Sequence, residues 1–84
     1  MKAKNLKTLK LIYSKPVSAN VRFKDVVALL NELGAEFEQR SGSRIAITLN
    51  GDTVVQHVPH PSPCMDKGAV ASLLKFLEYH GIKP

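Results

Sequence analysis

Apolar residues recur along this chain at two different periods. Near the start, Leu6, Leu9, Ile12 and Tyr13 make a narrow helical stripe. Asn5 is placed to cap that helix, which should run to about Ser14 before Pro16 stops it. The segment from Pro16 to Asn20 reads as a connection. Phe23, Val26, Val27, Leu30 and Leu33 then return at helical spacing, with Gly34 placed to end a second helix.

From Ala35 the period changes to two. Ala35, Phe37 and Gln39 alternate with Glu36, Glu38 and Arg40, which predicts a strand, and Ser41-Gly42 supplies a turn. In the next strand, Ser43 to Asn50, Ile45, Ile47 and Leu49 take one face while Arg44, Ala46 and Thr48 take the other. Asn50-Gly51 is a strong hairpin signal because both positions of a type I′ turn need positive φ, so Asp52 to Val58 is the returning strand. A two-residue turn also fixes the register, setting Ile47 opposite Val54, Leu49 opposite Asp52 and Arg44 opposite His57. The face with Ile45, Ile47, Val54 and Val58 should bury against helices, leaving Arg44, Thr48, Thr53 and His57 on the other. Pro59, Pro61 and Pro63 end the pairing and stiffen a loop that holds His60. Asp66 caps a final helix with the stripe Val70, Leu73, Leu74 and Leu77, and Gly81-Ile82 has the form of a Schellman ending. The predicted order is α-α-β-β-β-α, an α+β domain in which helices cover one face of a three-stranded antiparallel sheet.

At 84 residues the chain is too short for two self-sufficient cores. No apolar run approaches the roughly 18–20 residues of a membrane span, and the start lacks the apolar stretch of a signal peptide, so a cytoplasmic location is expected. The lone Cys64 fits a reducing compartment and reads as structural. The net charge of +5 is unevenly divided: residues 1–22 hold six bases and no acid, while residues 23–84 hold six bases and seven acids. Such an arm attracts phosphate or an acidic protein through a screened field, or serves only as a solubilising flank.

Cutting RNA without a metal requires a base for the 2′-hydroxyl proton, an acid for the leaving oxygen and a cation against the phosphate. His57, His60 and Arg44 are the side chains suited to those roles, although spacing alone favours reading two histidines beside a turn as plain surface residues. His57, His60 and Cys64 are each competent zinc ligands, but three candidates without a second pair make a weak metal signal. Neither a metal nor any other cofactor is expected, nor is a small-molecule ligand. Lys67-Gly68 opens the last helix, where free amides favour an anion, unless Asp66 already satisfies them as cap. His80 reads as a dipole contact at a helix C-terminus, and Phe76 and Tyr79 read as packing residues. No Walker loop, nucleophile elbow or dinucleotide fingerprint is present.

At Gly34, Arg40-Ser41-Gly42-Ser43, Val58-Pro59-His60-Pro61 and Lys67-Gly68 the chain resembles the HicA toxins of bacterial toxin–antitoxin pairs, over residues from about 21 to 84. The resemblance implies an α-β-β-β-α core similar to double-stranded RNA-binding domains, preceded here by a basic helix and connection in residues 1–20. It also implies an mRNA-cleaving endoribonuclease, neutralised by a HicB-like antitoxin that covers the active site. Arg40, Ser43, Lys67 and Gly68 would then bind RNA. One position departs from the family: the usual catalytic histidine follows the Gly-Ser turn, and this chain has Arg44 there. Either His57 acts as base from across the ladder with Arg44 on the phosphate, or the domain persists as a module that binds RNA or antitoxin without cutting.

Overall fold

The Asn50-Gly51 turn sets the sheet. In the computed structural model, which describes residues 1–84, Asn50 has φ 51° and Gly51 φ 86°, the two positive values a type I′ turn requires. The strands it joins, β2 (Arg44–Leu49) and β3 (Asp52–His57), pair antiparallel with Ile47 opposite Val54, Leu49 opposite Asp52 and Arg44 opposite His57. Strand β1 (Glu36–Gln39) pairs with the other side of β2, with Phe37 opposite Ile47 and Glu38 opposite Ala46, so the sheet order is β1-β2-β3.

Three helices complete the chain: α1 (Ala3–Ile12), α2 (Phe23–Glu32) and α3 (Lys67–Tyr79). Helix α2 ends in a Schellman motif at Gly34 (φ 89°), where the Ala35 amide donates to the Leu30 carbonyl at 3.0 Å. Helix α3 begins with the Asp66 carboxylate accepting from the Ala69 amide at 2.8 Å and ends in a second Schellman motif, Ile82 to Leu77. Leu29, Leu30, Leu73 and Leu77 pack with Ile47 and Leu49 in one buried cluster, to which Phe37, Ile45 and Val54 add partly buried side chains. Each fully buried aliphatic chain there contributes roughly 1.5–3 kcal/mol. The chain is thus α+β, with all helices on one face of a three-stranded antiparallel sheet.

The first helix differs most from its sequence reading. It starts two residues before Asn5 and stops at Ile12 rather than Ser14, so Asn5 is no cap. Asn5 lies buried inside the helix and donates from Nδ2 to the Glu32 carboxylate of α2 at 2.6 Å, while the Lys2 amide donates to the same carboxylate at 3.0 Å. Helix α1 has no side-chain cap of its own, so Glu32 takes the negative role that favours a helix N-terminus. The buried face is Asn5, Thr8, Leu9 and Ile12, and Leu6 falls outside it. Leu9 and Ile12 are part of the common core, and the Tyr13 hydroxyl donates to the carbonyl of Ile82. Burial, helped by the Glu78 charge, pushes the Tyr13 phenol above its ordinary pKa.

The end of β3 brings two further corrections. Val58 was expected in the core and is 37% exposed, whereas Gln56, on the same helix-facing side, is 4% exposed. The strand stops at His57, and Pro59 turns the chain off the sheet before Val58 can pack. At β1, Gln39 is likewise exposed although Ala35 and Phe37 face inward.

Candidate nucleic-acid interface

Alternation of hydrogen-bonded and open rungs places the exposed residues at the rim of the sheet. The Val58 amide donates to the Ser43 carbonyl at 2.6 Å, which makes Ser43 and Val58 a bonded rung. Arg44 and His57 are the next rung, a non-bonded pair, in which Cα atoms approach to about 4.5 Å and both side chains leave from the same face. Both residues are exposed. On the β1 side, the Arg40 amide donates to the Arg44 carbonyl at 2.9 Å, so Arg40, Arg44 and His57 form a row across the rim.

Each member of this row has a distinct local attachment. Arg44 folds onto the preceding turn, donating from Nε to the Ser41 carbonyl at 3.2 Å and from Nη2 to the Ser41 hydroxyl at 2.9 Å. A guanidinium has five N–H bonds, so three remain for a ligand. Arg40 pairs with Glu38 at 2.9 Å, and both side chains are exposed. Further along the same face, the Thr48 and Thr53 hydroxyls share a hydrogen bond at 2.8 Å, and Ala46 sits beside Val55, which is open to solvent. Cationic groups are therefore concentrated at the rim, with Glu36 and Glu38 along the outer strand.

The loop leaving His57 is held by the start of α2. The Phe23 amide donates to the Pro63 carbonyl at 3.0 Å, the Met65 amide to the Val21 carbonyl at 2.8 Å, and Arg22 forms an isolated antiparallel bridge with Cys64. The prolines end the ladder of β3, yet pairing resumes with a segment some forty residues earlier. His60 is exposed on this loop, ahead of a cis bond to Pro61. Ser43 is exposed beside the turn, and Lys67 and Gly68 are exposed at the first turn of α3. There the Asp66 carboxylate already takes the Ala69 amide, and a Cβ on Gly68 would lie 3.2 Å from Asp66 Oδ1. Glycine at 68 thus leaves room for the cap. Arg22, exposed at the bridge, is a base that local periodicity did not bring to this loop.

Other readings resolve differently. No group of three or more metal-competent side chains is gathered, so His57, His60 and Cys64 do not form a metal centre. No helix is long and apolar enough to cross a membrane. The His80 side chain is only 6% exposed, packed edge-on against Phe76 (4.9 Å) and Tyr79 (5.2 Å), with Nε2 3.3 Å from Asp52 Oδ2 but without a hydrogen-bond partner. It is a packing residue between α3 and the hairpin rather than a simple dipole contact. Tyr79, expected to pack, is 78% exposed.

From α2 onward the chain is an α-β-β-β-α unit with two arginines and a histidine in a row at the rim of its sheet. A family model described as the HicA toxin of bacterial toxin-antitoxin matches residues 23–79, the stretch from the start of α2 to the end of α3, and the chain belongs to that family. No curated protein and no solved structure matches it.

Proposed function

We propose that this HicA-family toxin binds mRNA and cleaves it without a metal. The observation that carries this reading is the shared rung of Arg44 and His57 on the open face of the sheet. His57 takes the proton of a ribose 2′-hydroxyl, and the oxygen attacks the adjacent phosphorus as the bond to the 5′-oxygen breaks. His60 returns a proton to that leaving oxygen. Arg44 holds the phosphate with the N–H groups that Ser41 does not occupy, where a guanidinium offsets the charge that builds on the phosphoryl oxygens. Arg40, Ser43, Lys67 and Gly68 extend the contact along the sugar-phosphate backbone. The products are a 2′,3′-cyclic phosphate and a 5′-hydroxyl. A HicB-like antitoxin is the expected partner, and the rim is the surface it would cover.

A second reading has one specific observation in its favour. The Arg44 guanidinium is anchored on the Ser41 turn, a structural use that does not require catalysis. In that case the domain binds RNA or antitoxin without cutting. Pure protein incubated with labelled RNA in excess chelator separates the two: cleavage supports the first reading, and binding without cleavage supports the second.

A further inference from the structure

Helix α1 lies outside the stretch matched by the family, and it is docked at both ends. Asn5 and the Lys2 amide bind Glu32 at its start, and Tyr13 just past its end bonds Ile82. With Leu9 and Ile12 in the core, its outward surface is fixed to the body of the domain and does not trail as a tail. That surface is lysine-rich. Lys4, Lys7 and Lys10 are all exposed and follow at steps of three residues, about 4.5 Å of rise each. None of them lies within ion-pair distance of a carboxylate; the lysine- or arginine-to-carboxylate pair of the molecule is Arg40–Glu38. Glu32, beside the start of the helix, accepts from the Lys2 amide and Asn5.

We infer that the Lys4–Lys7–Lys10 rib of α1 is a binding site for the phosphodiester backbone of RNA, separate from the rim of the sheet. The inference rests on the RNA reading above. Unpaired lysines on a rigid helix suit a sequence-blind polyanion, because each releases a condensed counterion on contact with a phosphate. An acidic protein fits less well. Protein interfaces are centred on buried apolar or aromatic anchors and are poor in lysine, and within α1 the only exposed large aliphatic side chain is Leu11. A lipid surface fits less well again, because the apolar face such a helix would insert is already spent in the core.

The test measures binding of the full chain to a duplex RNA with 2′-O-methyl riboses, which cannot be cleaved, across a series of salt concentrations. Three proteins are compared: wild type, Lys7→Gln/Lys10→Gln, and Lys75→Gln/Lys83→Gln, which removes the same charge from exposed sites elsewhere. The α1 variant should lose about 1.5 from the slope of log K against log salt and weaken binding on the order of 10-fold at 0.1 M salt, while the matched control keeps the wild-type slope. Lys7→Arg/Lys10→Arg should retain it. Equal slopes for the two glutamine variants overturn the site even though wild type binds RNA. Wild type that fails to bind RNA overturns the proposed function itself. An α1 variant that keeps the RNA slope but loses affinity for polyglutamate overturns the site in favour of an acidic partner.

Discussion

Arg44 and His57 face each other across an open rung of the β2–β3 ladder, and the two-residue turn at Asn50-Gly51 sets the register that places them there. Slipping the pairing by one residue would send the two side chains to opposite faces and bury one of them against the helices. The juxtaposition therefore depends on the Asn50-Gly51 turn as much as on the two residues themselves.

Gly51 has φ 86°, a conformation in which a Cβ is strained whatever the space around it. Gly51→Ala should cost about 1–2 kcal/mol in urea unfolding. It should also lower RNA affinity in proportion to any loss of register, which amide exchange of the β2–β3 rungs would report. Unchanged stability would mean that the turn has another route to the same pairing.

Arg44→Ala removes both the phosphate contact and the tie to Ser41. RNA binding should weaken and its salt slope become shallower by about 0.7–0.9. Arg44→Lys keeps the charge but not the two-pronged hold on the turn, so its slope should stay near wild type while its affinity falls. An Arg44→Ala protein with wild-type slope and affinity would confine this residue to the turn.

Glu32 links α1 to α2, and the hydrogen bond from Asn5, followed by the Lys2 amide and the nearby positive charges, holds its carboxyl below the ordinary 4.5 although desolvation opposes the shift. A carboxyl with a depressed folded pKa contributes stability that is present above its unfolded pKa and is lost as pH falls through the folded one. Wild type should therefore lose stability below about pH 4.5, and Glu32→Gln should lose less over the same window. Asn5→Ala should cost about 1 kcal/mol at neutral pH, measured by chemical unfolding. Identical acid profiles for wild type and Glu32→Gln would remove Glu32 from this role.

Local signals were legible where structure depends on neighbours in sequence. The two Schellman endings, the Asp66 cap, the type I′ turn and the resulting register all follow from short patterns, and Arg44 opposite His57 came with them. The features that escaped are those whose partner is distant in the chain. Asn5 has the chemistry of a cap, but a carboxylate 27 residues later claims its amide. Arg22 gave no sign of pairing with Cys64, because one isolated bridge imposes no periodicity. His80 reads from sequence as a dipole contact at a helix end, yet the hairpin sets Asp52 beside it and Phe76 and Tyr79 meet its ring edge-on. Val58 continued an apolar alternation that Pro59 had already cut short.

The central claim is that an imidazole on the rim moves the proton of a ribose hydroxyl. The direct measurement is the single-turnover rate of RNA cleavage in excess chelator for wild type and His57→Ala, with binding of uncleavable RNA followed in parallel. The account predicts a rate loss of about 10²–10⁴ with binding largely kept. A variant that cuts as fast as wild type would contradict it.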